Sequence, residues 1–523
     1  MPSHAMRSLP EALYSADAVR HMDRYLIDDC GVDGFELMQA AARAAFRQLV
    51  RRWPEAGPVL VLCGAGNNGG DGYLVAAHAR RHGLTVECLA ATPTDRLSGD
   101  ARKAWQQAVA DGVPVRPLTT LDTAALTETF SRAAVIVDAL LGTGTTGAPR
   151  PPFDDLIQRC NARQVPVLAV DVPSGLDAST GATPGDVIRA TVTVTFIARK
   201  AGLYTGQGPA VCGDIEFADL DTGHDPQTGG PAPLAHLLHL GRAGAWLPPR
   251  PANAHKGRFG HVLVVAGDRG MGGAGLMAAE AAVRSGAGLV SLATRPEHVS
   301  GALARCPSVM VHGIIHGSEL APLLNKASVV VCGPGIGQLA WGQQMLQQVL
   351  ASDKPRVLDA DALNLMANLV AVVSEQQVLT PHPGEAARLL NLTVAEVEAD
   401  RVAAARKLQS LYGGVVLLKG AGTVVASSQG VAIVAGSNPG MATGGMGDVL
   451  SGVAGALCGQ IQDLHQATVL AACAHLAAAD HASRHRGYMG LAPTDVIEAL
   501  PEVFRRLETD RHRPESGHDD HGQ

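Results

Sequence analysis

The densest set of residues capable of chemistry lies in the glycine-rich run at residues 438–447 and in the acid that follows it, Asp448. Glycines at this density disfavour a regular helix or strand and let consecutive backbone N–H groups approach an anion. The run leads into an amphipathic helix expected at 448–457, whose N-terminus adds positive potential. The pattern predicts a phosphate cradle. Asp448 could be a simple helix cap, or it could accept a hydroxyl proton during phosphoryl transfer.

Four further motifs of the C-terminal half could contribute to the same site. They are HKGRFG at 255–260, GPGIG at 333–337, TPHPGE at 380–385 and KGAGT at 419–423. Most adjoin predicted strands, and ligands of open α/β sheets bind beyond the carboxyl ends of the strands. The sequence contains no GxxxxGK[ST] motif, so a P-loop site is not predicted. His382, between two prolines, fits either a structural turn or a ligand contact.

In the N-terminal half, three predicted strands each lead to an acid or amide beside a turn. The strand at 58–63 precedes Asn68 in NNGGDG, the strand at 134–138 ends in Asp138 before GTGTTGA, and the strand at 165–171 ends in Asp171 before a proline-fixed turn. Any one of these could be a loop cap, but three together favour a ligand site. The helix after the first loop is expected to begin near Tyr73.

The first loop also matches GxGxxG through Gly64, Gly66 and Gly69, and Glu87 lies on the next predicted strand. An NAD-dependent dehydrogenase is therefore an alternative. The motif is weak on its own. The two asparagines and Asp71 make this loop more polar than a dinucleotide turn requires.

These loops need elements that bring strand ends together. Apolar runs rich in Val, Ile and Leu alternate with Ala-rich helical stretches along the chain, which predicts parallel strands buried on both faces. The expected fold class is α/β in both halves. A Gly/Pro/Thr-rich stretch at 222–233 separates a domain at 1–225 from one at 235–507, and the polar, His-rich segment 508–523 is expected to be a disordered tail.

Composition restricts the possible functions. The 523 residues suffice for several domains. A net charge of −7 and an aromatic content of 3% argue against nucleic-acid binding. The nine cysteines form no CxxC pair, which fits a reducing cytosol, so a cytoplasmic protein is expected. The first residues carry no apolar signal core, and no stretch predicts a transmembrane helix.

The N-terminal motifs NNGGDG, VDALLGTG, VDVPSG and FIARKAGL resemble the epimerase family that acts on hydrated NADH and NADPH (NADHX and NADPHX). The resemblance implies a Rossmann-like three-layer domain with a potassium ion on Asn68, Asp138 and Ser174, oxygen ligands that suit a hard cation. It also implies proton transfer by Asp171 and Lys200. It places substrate contacts at Asn67, Asn68, Gly69, Gly70, Asp71, Gly142, Thr143, Gly144, Thr145, Thr146, Gly147, Ala148 and Asp171.

The five C-terminal motifs, taken in order, resemble the ADP- or ATP-dependent dehydratases of the same hydrates, which belong to the ribokinase-like superfamily. The resemblance implies that Asp448 is catalytic, and that ADP or ATP is the co-substrate with a magnesium ion. It places contacts to the hydrated nicotinamide at Ala274, Gly335, His382 and Asp448. It places nucleotide contacts at Lys419, Gly420, Ala421, Gly422, Thr423 and Gly447. Met446 stands where some relatives carry Thr, so a hydroxyl contact is absent there.

Together the resemblances imply a repair enzyme for hydrated NADH and NADPH. The N-terminal domain would interconvert the R and S hydrates, and the C-terminal domain would dehydrate the S form. Asp448 would take the proton of the C6 hydroxyl while that hydroxyl attacks the terminal phosphoryl group, and phosphate would then leave with help from the ring nitrogen. The expected partners are these small molecules and further copies of the chain in a homo-oligomer, with no nucleic acid and no membrane.

Two alternatives belong to other classes. A vitamin-pathway kinase with an accessory Rossmann-like domain would release a phosphorylated product. A scaffold without turnover, such as the mRNA-decapping proteins that share the N-terminal domain type, would not depend on Asp448. The presence of Asn68, Asp71, Asp138 and Asp171 together favours the enzyme.

Overall fold

The computed structural model describes residues 11–144, 147–228, 230–369 and 372–511. The chain divides into two compact units, Met1–His236 and Leu237–Gln523. The division falls shortly after the Gly/Pro/Thr-rich stretch at 222–233, within a short strand that begins at Ala235. Within the described residues, no helix combines the length and the apolar character that a membrane crossing would need.

The N-terminal unit alternates strands and helices. Its strands are β1 (Ala12–Tyr14), β2 (Val59–Cys63), β3 (Val86–Ala90), β4 (Val115–Pro117), β5 (Val135–Ala139), β6 (Val167–Val170), β7 (Val192–Phe196), β8 (Arg199–Lys200) and β9 (Asp214–Ala218). Its helices are α1 (Ala16–Arg24), α2 (Gly34–Arg52), α3 (Asn67–Arg81), α4 (Gly99–Ala110), α5 (Thr123–Arg132), α6 (Phe153–Ala162) and α7 (Gly208–Val211).

Seven of these strands form a parallel sheet in the order β4-β3-β2-β5-β6-β7-β9. The chain first moves outward from β2 through β3 to β4. It then starts again at β5, beside β2, and moves outward in the other direction. The strand order therefore reverses between β2 and β5, and open α/β sheets bind ligands beyond the carboxyl ends of the strands at such a point.

Helices cover both faces of this sheet. Helices α2, α3 and α4 share one core with strand residues such as Val61 and Val137. Helices α5 and α6 share a second core with Leu60 and Ile136. Because neighbouring residues of a strand point to opposite faces and both faces are covered, the central strands β2, β5, β6 and β7 are buried along their whole length. The predicted three-layer α/β fold is confirmed for this unit.

Helix α3 begins six residues earlier than expected, at Asn67 instead of near Tyr73. Its glycines serve close packing of the helix. A Cβ at Gly69 would lie 2.1 Å from the carbonyl oxygen of Gly64, and one at Gly72 would lie 2.6 Å from the Cβ of Ala139. The sequence alone predicts a loop here, because the neighbours that require glycine at these positions are distant in the sequence.

The C-terminal unit has the same alternation. Its strands, starting with the one at the division, are β10 (Ala235–Leu238), β11 (His261–Val265), β12 (Leu289–Thr294), β13 (Met310–Gly313), β14 (Val329–Cys332), β15 (Arg356–Leu358), β16 (Gln377–Leu379), β17 (Val415–Leu418), β18 (Val424–Ser427) and β19 (Gly430–Val434). Its helices are α8 (Leu240–Ala243), α9 (Gly272–Arg284), α10 (Val299–Arg305), α11 (Ala321–Lys326), α12 (Ala340–Leu350), α13 (Asp361–Met366), α14 (Pro383–Leu390), α15 (Val394–Ala399), α16 (Arg401–Tyr412), α17 (Met446–Cys458), α18 (Leu464–Arg486) and α19 (Pro493–Arg511).

The sheet of this unit has the order β13-β12-β11-β14-β15-β16-β17-β18-β19. The strands from β13 to β17 are parallel, and β18 and β19 add an antiparallel hairpin. Helices α9, α17, α18 and α19 pack on one face. Residues that point to the other face, such as Leu263 and Val330, are also buried. The α/β prediction is confirmed here too, and the strand order reverses between β11 and β14.

The last helix corrects the predicted start of the tail. Helix α19 runs to Arg511, so residues 508–511 are helical although 508–523 was expected to be disordered. Leu507 is buried in the core, and the Glu502 carboxylate accepts hydrogen bonds from Arg505 and Arg506, one turn further along the helix. Such pairs support a helix even where its sequence is polar. The remainder of the predicted tail, 512–523, lies outside the described residues.

Candidate active sites

A cavity of about 530 Å³ opens at the carboxyl ends of β2 and β5, where the strand order of the N-terminal unit reverses. The loop before α3 and the first turns of that helix supply Asn67, Asn68 and Asp71 to its lining. The loop after β5 supplies Gly142, Thr143 and Gly144, and the ends of β6 and β8 supply Asp171 and Lys200. The sequence-predicted residues of separate loops therefore converge on one cavity.

Asp171 and Lys200 form an ion pair in this cavity. Asp171 has φ of 67°, a left-handed backbone that is uncommon for residues other than glycine and that aims its carboxylate away from the strand direction. The Lys200 side chain is 1% exposed. Its ammonium also donates to Thr195 Oγ1 at 3.0 Å and to the Phe196 carbonyl at 2.8 Å. All three protons of the ammonium are thereby engaged.

Two more carboxyl groups, Asp23 of α1 and Asp71 of α3, line the same cavity. Burial raises the pKa of Asp71 well above its usual range, and the charges of Asp171 and Asp23 raise it further. Burial also raises the pKa of Asp23, again with a contribution from Asp171. The cavity thus combines a salt-bridged carboxylate with two carboxyl groups that tend to keep their protons.

One chain of contacts joins Asn68, which lines the cavity, to Ser174 and Asp138. Ser174 Oγ donates to Asp138 Oδ1 at 2.6 Å and lies 3.3 Å from the Leu141 carbonyl, which accepts from Asn68 Nδ2 at 3.1 Å. Asn68 Oδ1 is buried and has no hydrogen-bond partner in the structure. Burial raises the pKa of Asp138 to about 6, although hydrogen bonds from Ser174 and Leu140 oppose the rise. An unpaired buried oxygen beside other oxygens is what a bound cation would satisfy.

Not every residue of the predicted epimerase set lines this cavity. Gly69 and Gly70 lie inside α3 and pack against Gly64 and Met38, so close packing accounts for them. Gly147 lines a small neighbouring pocket. Ala148 packs against Gly185. Thr145 and Thr146 lie outside the described residues.

The dehydrogenase alternative receives no support from the position of Glu87. This residue is near the start of β3, and not at the carboxyl end where an acid would meet a ribose. Its carboxylate pairs with Arg116 at 3.6 Å and Arg132 at 3.5 Å.

In the C-terminal unit, Lys419 is the centre of a buried charged network at the ends of β15 to β17. Its ammonium lies 2.7 Å from Asp359 Oδ1 and 3.9 Å from Glu385 Oε2. Burial lowers the pKa of Lys419, but Asp359 and Glu385 outweigh this and raise it above its ordinary value. Ser451 Oγ donates to Asp359 Oδ2 at 2.7 Å. The network fixes Lys419 beside the first turn of α17.

Asp448 lies in that first turn. Helix α17 follows Gly445, which has φ of 95°, and its first N–H groups have no partner inside the helix. A Cβ at Gly447 would lie 3.2 Å from the Lys419 ammonium, so the lysine and the helix N-terminus adjoin. Burial raises the pKa of Asp448 to about 7, and Asp359 adds to the rise. The arrangement combines anion-binding groups with a carboxyl group that can act as a base near neutral pH.

The other predicted dehydratase residues lie at the same edge of the sheet. A Cβ on Gly335 would lie 3.2 Å from the Ala274 Cβ, so these two residues adjoin where the strand order reverses. His382 caps α14, and its Nδ1 accepts from the Gly384 N–H at 3.0 Å. Burial lowers the pKa of His382, and the charge of Lys419 lowers it further. His382 is therefore a neutral cap whose Nε2 lies 3.4 Å from Glu385.

Buried hydrogen bonds hold the loop at 419–423, for which nucleotide contacts are predicted. Arg401 is 1% exposed, and its guanidinium donates to the carbonyls of Leu418 and Lys419 at 3.2 and 3.0 Å. Thr423 Oγ1 donates to the Gly420 carbonyl at 3.0 Å. Ala421 is exposed at the tip of the loop, whereas Gly422 is buried.

Sequence reasoning missed three acids of these sites. Asp359 and Asp361 flank Ala360, whose φ of 47° is unusual for alanine. A weak signal for Asp359 was present, because it directly follows the buried strand β15, but no glycine turn comes after it. Asp23 gave no such signal, since it lies on a helix with an ordinary buried stripe that includes Val19 and Met22.

Comparisons with known proteins match the two units to two different families. The family described as NAD(P)H-hydrate dehydratase matches residues 262–502, and the family described as YjeF-related protein N-terminus matches residues 34–202. The bifunctional NAD(P)H-hydrate repair enzyme of Escherichia coli K12 is 43% identical, covering 99% of this chain and 99% of that protein. The one from Coxiella burnetii is also 43% identical, covering 93% of this chain and 98% of its own.

Two solved structures similar to this chain each cover about half of it. The ADP/ATP-dependent NAD(P)H-hydrate dehydratase of Bacillus subtilis, co-crystallised with ATP and Mg²⁺, is 29% identical with a TM-score of 0.47, covering 51% of this chain and 96% of that one. A protein of Enterococcus faecalis described as ribokinase-like is 31% identical with a TM-score of 0.48, covering 52% of this chain and 95% of that one.

Proposed function

Because this chain belongs to the family of bifunctional NAD(P)H-hydrate repair enzymes, we propose that its two units carry out the two steps of that repair. The N-terminal unit interconverts the R and S hydrates of NADH and NADPH. The C-terminal unit dehydrates the S hydrate at the expense of ADP or ATP. The observation that carries the proposal is that each unit gathers its own acids and glycine loops at the reversal of its strand order.

In the epimerase site, we assign proton transfer to Asp171 and positioning to Lys200. The geometry supports this division because all three donors of the Lys200 ammonium are already engaged by Asp171, Thr195 and Phe196. A lysine held in this way has no free donor for the substrate, but its hydrogen bond orients the Asp171 carboxylate. The substrate contacts are then Asn67, Asn68 and the loop at 142–144.

A potassium ion at Asn68, Asp138 and Ser174 is part of the proposal. The unpaired Asn68 Oδ1 fits such an ion, as do the Asp138 carboxylate and the Ser174 hydroxyl nearby. When bound, the ion would supply positive charge beneath the glycine loop at the cavity. The protein residues by themselves hold that loop through the Leu141 carbonyl and N–H, which bond to Asn68 and Ser174.

In the dehydratase site, Asp448 accepts the proton of the C6 hydroxyl as that oxygen attacks the terminal phosphoryl group. The N–H groups of the first turn of α17 and the Lys419 ammonium face the phosphate charge. The hydroxyl thereby becomes a phosphate, a far better leaving group. It departs as the ring nitrogen donates its electron pair and C5 loses a proton, which restores the dihydronicotinamide.

The remaining groups position the two reactants. Ala274, Gly335 and His382 contact the hydrated nicotinamide, and residues 419–423 with Gly447 contact the nucleotide. A magnesium ion bound with the nucleotide would neutralise phosphate charge. No cluster of three His, Cys, Asp or Glu side chains suited to a metal occurs in the described ranges, so the proposal names no protein ligand for magnesium.

We further propose a cytoplasmic location and a homo-oligomer. All nine cysteines are free, which is compatible with a reducing compartment. Large apolar side chains such as Leu339 and Met489 are exposed on the C-terminal unit, as an interface between copies would require. Light scattering of the purified chain determines its mass in solution, and fractionation of the source cell determines its compartment.

The test supplies a mixture of both hydrate epimers with ADP or ATP and follows the recovery of reduced-nicotinamide absorbance. Complete recovery is expected with at least one nucleotide. Asp171→Ala should limit recovery to the S fraction plus spontaneous epimerisation, and Asp448→Ala should abolish it. Absence of recovery with both nucleotides would refute the function, and accumulation of a stable phosphorylated product would favour the kinase alternative.

A further inference from the structure

Helix α1 forms a wall of the epimerase cavity. Val19, Arg20 and Asp23 line the cavity from this helix, and Ile27 does so from the π-helical turn that continues it. Asp23 comes three residues after Arg20 and four before Ile27, a spacing that places these three on one helix face. Arg20 Nη1 donates to the Thr143 carbonyl at 2.6 Å, so the helix is fastened to the glycine loop on the substrate side.

The ionisable side chains of the cavity differ in whether they have partners. Those that line it are Arg20, Asp23, Asp71, Asp100, Asp171 and Lys200. Arg20 pairs with Asp17, Asp100 accepts from Lys103 at 2.8 Å, and Asp171 pairs with Lys200. In the part of the chain that the structure describes, the carboxyl groups of Asp23 and Asp71 have no hydrogen bond and no ion pair.

The cavity therefore holds more carboxyl groups than cations to neutralise them. Its lysine is committed to Asp171, and its arginine is shared with Asp17. Ionising both remaining acids would place uncompensated negative charges close together in a partly dry site, which is unfavourable. The arrangement therefore favours retention of at least one proton by Asp23 or Asp71.

We propose that Asp23 is a second catalytic residue of the epimerase, which gives a proton to the C6 hydroxyl while Asp171 takes one from the water that adds to the other face. The inference rests on the proposed epimerase function. Inversion at C6 requires a proton donor where the hydroxyl leaves and a base where oxygen returns. Asp23 and Asp171 meet this need because different elements, α1 and the end of β6, bring them to one cavity.

The step balances without any further reagent. Asp23 transfers its proton to the hydroxyl oxygen, the C6–O bond breaks, and water leaves with the bonding pair. The ring nitrogen lone pair forms a C=N bond to C6, giving a cation that the surplus carboxylates stabilise. Water then adds to the other face, the C=N pair returns to nitrogen, and Asp171 accepts the proton. The reverse reaction uses the same two groups with their roles exchanged.

Asp71 is the less suitable donor. It is 8% exposed and lies in α3, on the wall formed by Asn67 and Asn68. In this scheme Asp71 is a further acid of the cavity lining and not the donor. The Asp71→Asn variant tests experimentally whether Asp71 or Asp23 is the donor.

The test uses the full chain without nucleotide, so that no dehydration occurs, and follows pure R hydrate by chromatographic separation of the epimers. Asp23→Asn should lower kcat at least about 100-fold, with KM nearly unchanged. Wild-type kcat should fall at high pH as Asp23 loses its proton, and Asp23→Asn should lack this alkaline limb. Asp23→Glu should recover part of the rate. Asp28→Asn is the matched control, since Asp28 is exposed in the turn after α1 and lies outside the cavity lining.

The outcomes separate this inference from the proposed function. A wild-type chain that does not exceed spontaneous epimerisation would refute the function. An active wild type with an unchanged Asp23→Asn rate, or loss of the alkaline limb in Asp71→Asn alone, would overturn the role of Asp23. In water labelled with ¹⁸O, each conversion should place a solvent oxygen at C6, and retention of the original oxygen would overturn the water-exchange step.

Discussion

Asp448 shows how one residue can weaken the fold and serve the chemistry. Burial raises the pKa of this carboxyl to about 7, so the folded state binds its proton at pH values where an exposed aspartate has lost it. Between about pH 4 and pH 7 the folded chain therefore holds more protons than the unfolded chain at this position. The stabilising contribution of the protonated form is complete at low pH and is lost as the pH rises through 7.

We accordingly predict opposite effects of Asp448→Asn on activity and stability. Dehydration should fall at least about 100-fold because the base is lost. The melting temperature at pH 8 should rise, since Asn carries no charge to bury, and the difference from the wild type should shrink at pH 5. Calorimetry at the two pH values and recovery of NADH from the S hydrate measure both effects. A lower melting temperature at pH 8 would mean that Asp448 is structural.

Asp359 should tune the base beside it. It raises the pKa of Asp448, and its own carboxylate holds Lys419 and Ser451. In Asp359→Asn the pKa of Asp448 should fall, so the acid limb of the dehydration rate should move to lower pH. Loss of the charged hydrogen bonds should also lower the free energy of unfolding by about 2 kcal/mol. Rate profiles between pH 5 and 9 and denaturant unfolding measure these changes.

Asp361→Asn is the matched comparison for that experiment. Asp361 also raises the pKa of Asp448, but it contributes less than Asp359 and bonds to the Gly337 N–H instead of Lys419. Its substitution should move the acid limb in the same direction by a smaller amount. An acid limb that stays in place in Asp359→Asn, or moves to higher pH, would contradict the coupling.

The residues that could be predicted from the sequence are those with a recognisable pattern beside them in the chain, a buried strand followed by a turn. Asp138 lies near the end of the buried strand β5, Asp171 directly follows the buried strand β6, and a Gly or Pro turn comes after each. Asp359 follows the short strand β15 without a glycine turn, and Asp23 lies on a helix whose buried stripe resembles ordinary packing. Both depend on contacts between distant segments, which spacing along the chain does not encode.

At the scale of elements, the crossing of α17 and α9 sets where Asp448 lies. A Cβ at Gly452 of α17 would lie 2.1 Å from the backbone carbonyl of Ala278 in α9. Gly452→Ala should therefore force the helices apart and lower the free energy of unfolding of this unit by about 1–3 kcal/mol. Since the first turn of α17 would move, dehydration should fall, whereas epimerisation in the other unit should stay unchanged.

Gly301→Ala on α10 is the control for that substitution. A Cβ there would meet no atom within 4 Å, and alanine favours a helix over glycine by up to about 1 kcal/mol. It should leave both activities unchanged and should not lower stability. If Gly452→Ala is as harmless as Gly301→Ala in thermal unfolding, the close helix crossing is not a determinant of the site.

Elements were predictable to the extent that periodicity defines them. Continuous apolar runs predicted the central strands, such as β17, because a parallel strand buried on both faces requires them. The predicted start of α3, near Tyr73, was wrong. The glycines before it are explained only by Gly64, Met38 and Ala139, which pack against them. The chain sequence shows that glycines are present, but it does not show whether turns or close contacts require them.

At the scale of the whole molecule, the residues assigned to the two sites come from separate units of the chain. The residues assigned to epimerisation all belong to Met1–His236, and those assigned to dehydration all belong to Leu237–Gln523. A substitution at one site thus leaves every assigned residue of the other in place. This separation makes it possible to ask whether the hydrate must stay with one chain between the two steps.

We predict that Asp171→Asn and Asp448→Asn chains complement each other when mixed. Each retains one intact site, so R hydrate epimerised by the Asp448→Asn chain can diffuse to the Asp171→Asn chain and be dehydrated there. With ATP or ADP, an equimolar mixture should convert pure R hydrate to NADH much faster than Asp171→Asn alone, which relies on spontaneous epimerisation. The rate should rise with the concentration of either chain. A mixture no faster than Asp171→Asn alone would show that repair of the R hydrate needs both sites in the same chain.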